Sequence, residues 1–251
     1  MLCPIMVVMG KIITINDITA YQANPIGDCK GGILLIHEVW GLNDHIKDIA
    51  NRFANEGYLV IAPNLLSELD IEAHLPPQLA EDMFNPEKRN QAQPLLRALM
   101  APMQEPGFAT KTADKVRQCF TWLYQEPVAE QRVSVVGFCF GGSYSYTLAV
   151  QEPLLKSAVP FYGHADFTLE ELRAVSCPIM AFYGEEDKRL MSGLPAFKEI
   201  VHEADVDITF EVYGGCGHAF FNDTNPYAYN EAAANDAWPK VLRFIEENMN
   251  R

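Results

Sequence analysis

Short apolar runs alternate with longer amphipathic stretches along this chain. Gly32–Ile36, Tyr58–Ala62, Val133–Val136, Ser157–Tyr162, Pro178–Tyr183 and Ile208–Tyr213 are runs of strand length, rich in β-branched and aromatic residues. Gly or Pro closes several of them: Pro63, Gly163 and Gly184. Ile5–Ile15 and Ile18–Ala23 read as two further strands, joined at Asn16-Asp17. Helical spacing predicts a helix from a cap at Asn43 or Asp44 to Glu56. A second runs over Thr112–Tyr124, with Val116, Phe120 and Leu123 on one side. Ser143–Val150, Leu194–Glu203 and Glu231–Asn248 follow, the last with Trp238, Val241, Leu242 and Ile245 as its apolar face. Asn64–Thr110 is less regular, broken by Pro76, Pro77, Pro86, Pro94, Pro102 and Pro106. It is too long for a plain loop, so it is expected to hold a helix over Glu87–Met100, kinked at Pro94, with excursions that cover a site. From residue 32 onward the strand–helix alternation predicts an α/β domain built on one doubly wound, mostly parallel sheet with helices on both faces.

Length and charge narrow the function. A chain of 251 residues, 49% hydrophobic, fits a single domain over 1–251 with a sizeable core. A formal net charge of -14 argues against nucleic acid or an anionic membrane surface as partner. No apolar run approaches the ~20 residues of a membrane span. Leu2–Met9 lacks the basic region and cleavage site of a signal peptide and reads as part of the first strand. The six cysteines form no Cys-x-x-Cys pair and no zinc spacing with histidine. These features predict free thiols in a reducing cytoplasm, with no metal or cofactor. They leave the oligomeric state open.

The candidate chemistry begins at Val133-Ser-Val-Val-Gly-Phe-Cys139-Phe-Gly-Gly142. A strand, a Gly-x-nucleophile-x-Gly turn and a helix describe the nucleophile elbow of the α/β-hydrolase fold, here with Cys139 in the nucleophile position. In an open parallel sheet, ligands bind beyond the carboxyl ends of the strands. Glu38, Cys139, His164, Asp187 and His218 all follow a strand. Of these, Cys139, Asp187 and His218 keep the chain order nucleophile, acid, histidine. A thiol near its reference pKa of ~8.5 is mostly protonated at neutral pH and needs a partner to form the thiolate. Histidine takes such a proton and returns it to a leaving group, and a carboxylate on the far ring nitrogen fixes the tautomer. Glu185 and Glu186 compete with Asp187 for that role. His164 precedes the acid and is assigned to pocket lining, while Cys216, Ser143 and Ser145 lack an elbow. The N–H of Phe140, with one from the loop after the third strand, suits an oxyanion hole.

With these residues in place, the sequence resembles the dienelactone hydrolase (carboxymethylenebutenolidase) family over residues 10–249. The carriers are His37-Glu-Val-Trp-Gly-Leu-Asn43, Gly137-Phe-Cys-Phe-Gly-Gly142, Tyr183-Gly-Glu-Glu-Asp187 and Gly217-His-Ala-Phe-Phe-Asn-Asp223. The resemblance implies an α/β-hydrolase with a Cys-His-Asp triad that opens an enol lactone or small ester through an acyl-enzyme. It also implies that Glu38 helps generate the thiolate and that the N–H groups of Val39 and Phe140 form the oxyanion hole. The family's well-known members hold a substrate carboxylate with arginines. One lies shortly after the catalytic histidine, where this chain has Phe220, Phe221 and Asn222. With Trp40 and Tyr162, Phe220 and Phe221 are expected to give a more apolar pocket. Two other classes compete: a non-catalytic relative that binds a small ligand, and a thiol redox sensor built on Cys139.

Overall fold

The computed structural model describes residues 10–69, 76 and 78–250. The leading part of the strand expected from Ile5, and part of the irregular segment, lie outside those residues. Eight strands form one sheet among the described residues: β1 (Lys11–Ile15), β2 (Ile18–Ala23), β3 (Gly31–Ile36), β4 (Tyr58–Pro63), β5 (Val133–Phe138), β6 (Ser157–Phe161), β7 (Ile179–Gly184) and β8 (Ile208–Tyr213). Their order is β1-β2-β4-β3-β5-β6-β7-β8. The β1–β2 hairpin turns at Asn16, whose φ of 54° is one that asparagine tolerates. Both β1–β2 and β2–β4 pair antiparallel, and every later pair is parallel. Helices cover both faces, as expected of an α/β-hydrolase. That is why β3, β4 and β5 are buried along their whole length and read as unbroken apolar runs. The one polar intrusion between β5 and β6 satisfies itself, Ser134 Oγ lying 2.7 Å from Ser157 Oγ.

The longer helices are α1 (Asp44–Asn55), α2 (Arg89–Met100), α3 (Phe108–Gln125), α4 (Phe140–Gln151), α5 (Lys188–Ala204) and α6 (Glu231–Met249). Asn43 settles the cap of α1 by accepting from the Ile46 N–H. Three helices begin earlier than their sequence suggests, α3 at Phe108 rather than Thr112. α4 starts at Phe140, directly behind Cys139, rather than at Ser143. α5 starts at Lys188 rather than Leu194 and carries Pro195 inside it. Gly193 and Pro195 look like breakers, yet Asp187 caps the helix through Leu190 N, and packing of Leu190, Leu194 and Phe197 outweighs local propensity. Among the described residues, no helix is long and apolar enough to cross a membrane.

The irregular segment holds α2 with Pro94 inside it, a single turn at Leu79–Asp82, and short 3-10 turns. Leu79 and Ala92 bury against Trp40, with Met83, Phe84, Leu96 and Leu99 around them. Asn225 ties this segment to the loop after β8 by donating to the Ala80 carbonyl at 3.0 Å.

Glycine is obligatory at the elbow. A Cβ on Gly137 would collide with the Gly141 carbonyl, and one on Gly141 with the Ile36 carbonyl. Gly193, by contrast, lies inside α5 with open space around it. Gly141→Ala is therefore expected to cost about 2–3 kcal/mol in urea denaturation. Gly193→Ala is expected to add about 0.5–1 kcal/mol by cutting chain entropy and raising helix propensity.

Candidate active site

β5 delivers Cys139 to the carboxyl edge of the sheet with φ 55° and ψ -109°, a strained setting for a non-glycine residue. The strain is held in place by neighbours. Cys139 N donates to the Phe161 carbonyl at 3.0 Å, and its own carbonyl accepts from Ser143 N at 3.1 Å. Gly141 N donates to the His37 carbonyl at 3.1 Å, which presses the loop after β3 onto the elbow. Phe140 is the first residue of α4, so its N–H has no carbonyl one turn earlier to bond.

His218 enters from the loop after β8. Its Nδ1 lies 2.5 Å from Asp187 Oδ2, and its ring reaches the Cys139 thiol. Burial alone would lower the imidazole. Charge on the Cys139 sulfur and hydrogen bonds to Asp187 and Cys139 outweigh it and raise His218 to about 10. Asp187 is 8% exposed. Its burial would raise the carboxyl, but His218 pulls it below the ordinary carboxylate range. Glu185 and Glu186 are both exposed, and Glu185 instead accepts from Gly215 N. Geometry therefore pairs Asp187, not its neighbours, with the histidine. Cys216 stands two residues before His218 but is buried, which pushes its thiol up. Cys139 remains partly exposed.

Glu38 is 1% exposed. Its Oε1 accepts from the Tyr162 hydroxyl at 3.3 Å, and its Oε2 accepts from Asn222 Nδ2 at 2.7 Å. Burial, then the charges of Glu38 and Cys139, push the Tyr162 hydroxyl well up, so it stays a donor. Asn222 Oδ1 accepts from both the N–H and the hydroxyl of Thr224, which fixes the amide's orientation. The loop bearing Val39 is held by His37. Leu65 N donates to His37 Nε2 at 3.0 Å, so the ring proton sits on Nδ1 and is donated to the Glu38 carbonyl at 2.6 Å. Burial lowers His37 to about 4, which keeps it neutral in this role.

Sequence reasoning named Asn222 only for the arginine it replaces, and missed His37 as a positioning residue. Neither carries a motif of its own, because each acts through Glu38. Trp40 is buried under the irregular segment. His164 is exposed, its N–H donating to Ser143 Oγ at 2.9 Å. Phe220 and Phe221 are fully buried in an aromatic cluster with Tyr162, Tyr213, Phe138 and Phe161, so they support the site from within the core instead of lining an open pocket. A groove of about 680 Å³, edged by Arg132, Lys156, Cys177 and Asp207, opens at the opposite, amino ends of the strands. None of Cys139, His218, Asp187 or Glu38 lines it.

Residues 18–249 match the profile of the dienelactone hydrolase family. A provisionally named carboxymethylenebutenolidase of Saccharolobus solfataricus is 34% identical over 247 residues, covering 91% of this chain and 93% of that one. Solved structures share the fold. A provisionally named dienelactone hydrolase of Klebsiella pneumoniae superposes with a TM-score of 0.77 at 22% identity, over 95% of this chain and 98% of that one. A dienelactone hydrolase-like promiscuous phosphotriesterase from metagenomic libraries gives 0.73 at 17% identity, over 96% and 99%.

The two shifts fix a pH dependence. His218 is raised and Asp187 lowered, so their ion pair stabilises the fold fully between about pH 4 and 6.5, the ordinary values of the two groups. That stability is lost as pH falls through the depressed Asp187 value, and as it rises through about 10 with His218. The gap in unfolding free energy between the parent and Asp187→Asn is expected to be widest in that window. In the same variant the basic limb set by His218 should move to lower pH, with kcat down by roughly 10²–10⁴-fold.

Proposed function

The chain is a cysteine-dependent hydrolase of the dienelactone hydrolase family, and from that premise we propose that Cys139, His218 and Asp187 are its catalytic triad, acting on a small lactone or ester. The observation that carries this reading is the meeting at one point of a strained elbow thiol and a His218–Asp187 pair.

The reaction follows from the groups present. The Cys139 thiolate attacks the substrate carbonyl, and the developing oxyanion takes hydrogen bonds from the N–H groups of Val39 and Phe140. His218, held protonated beside the sulfur, gives its proton to the departing oxygen. A thioester to Cys139 remains. His218, now neutral, takes a proton from water, the hydroxide attacks the thioester, and the acid leaves with Cys139 restored as thiolate. Asp187 keeps the ring in one tautomer throughout. Glu38, whose oxygens accept from Tyr162 and Asn222, is the second base, and it helps generate the thiolate when substrate binds, as the family resemblance implies. The free cysteines at 29, 119, 139, 177 and 216 support a reducing, cytoplasmic setting.

Turnover of p-nitrophenyl acetate and of dienelactone tests the assignment. Cys139→Ala is expected to lose at least about 10³-fold in kcat/KM, whereas Cys216→Ala stays within a few-fold of the parent. Ester turnover that survives in Cys139→Ala and disappears in Cys216→Ala would overturn it.

A further inference from the structure

Resting on the proposed triad, we infer that the site takes a neutral substrate with an apolar acyl group and discriminates against an acyl group that carries its own carboxylate. Two independent observations carry this. The first is charge. Glu38 is buried, and both of its oxygens are held by neutral donors, the Tyr162 hydroxyl and the Asn222 amide. Its negative charge therefore meets no cation in its hydrogen-bond shell. The positive charge of His218 is shared between Asp187 and the Cys139 sulfur. Asp223 follows Asn222, and its carboxylate faces His45 and Arg52. The Arg52 guanidinium is also engaged with Asp48 and lies over the Trp238 ring. Among the described residues, no lysine or arginine is hydrogen-bonded or ion-paired to Glu38 or Asp187; Arg189, whose charge reaches Asp187, is exposed. An anionic acyl group would enter a region where carboxylates outnumber available cations, with low-dielectric walls to carry the repulsion.

The second observation is the apolar packing beside the oxyanion loop. Trp40, next to Val39, packs with Leu79, Met83, Phe84, Leu96 and Leu99. Arg89 and Arg97 belong to the same helix α2, but both are exposed, and Lys88 pairs with Asp82. The segment thus packs hydrocarbon, and no cation, against the loop that carries the Val39 N–H.

The test compares two p-nitrophenyl esters of similar length, the neutral butyrate and the anionic hemisuccinate, at low ionic strength and in about 0.5 M salt. Butyrate is expected to be favoured by roughly tenfold or more in kcat/KM at low salt, with the gap narrowing as salt screens the repulsion. A second readout needs no turnover: the rates at which iodoacetamide and iodoacetate alkylate Cys139, followed by peptide mass mapping and compared with glutathione. Cys139 is expected to disfavour the anionic reagent about fivefold more than glutathione does, again less so in salt. Equal use of the two esters, preference for hemisuccinate, or a butyrate preference indifferent to salt would overturn the inference. If neither ester is turned over, the alkylation ratio decides it. Failure of the triad reading shows separately, as ester turnover that persists in Cys139→Ala.

Discussion

Everything in the site depends on how closely three backbone segments meet at Cys139. β5, the start of α4 and the loop after β3 approach until Gly137 and Gly141 leave no room for a side chain. The Gly141 N–H then bonds the His37 carbonyl, and the left-handed φ of Cys139 lifts its thiol out of the sheet. The close approach sets three things at once. It exposes the sulfur, it begins a helix whose first N–H groups lack carbonyl partners, and it fixes the loop that carries Glu38 and Val39. A neutral, buried His37 braces that loop from behind, between Leu65 and the Glu38 carbonyl.

Charge then divides the work among similar groups. Two carboxylates serve the site from different surroundings. Asp187 bonds an imidazole that the sulfur's charge keeps protonated, so the acid is held ionised. Glu38 is enclosed by a phenol and an amide, donors without charge, at the cost of leaving its own charge uncompensated nearby. Such an arrangement holds a buried carboxyl group in the site without tying it to a permanent cation. The apolar segment over Trp40 packs beside the loop that carries Val39, and the link from Asn225 to the Ala80 carbonyl joins it to the loop bearing His218.

Much of this was legible from the chain alone, for physical reasons. Parallel strands buried on both faces leave continuous apolar runs, so β3 to β7 announce themselves. The elbow glycines, the order Cys139, Asp187, His218, and the position of each after a strand define a site without any knowledge of contacts. Helix starts were harder. Gly193 and Pro195 disguise the first turn of α5, because tertiary burial of Leu190 and Leu194 overrides propensity. The choice among Glu185, Glu186 and Asp187 needed burial, which three adjacent acids do not reveal. Phe220 and Phe221 sit next to His218 in sequence, yet the turn at Ala219, with φ 62°, sends them into the aromatic core. Asn222 and His37 act through another residue, and such second partners leave no spacing to read.

The central claim is that the acyl group passes through Cys139. His218→Asn, which slows the water step, should let that intermediate accumulate from a p-nitrophenyl ester, whose leaving group needs little help from an acid. Intact mass measured within the first turnovers, followed by peptide mapping, is predicted to show one acyl group per chain on Cys139. An acyl group mapped to Cys216 or to a serine, or turnover at the parent rate with no adduct on Cys139, would contradict the account.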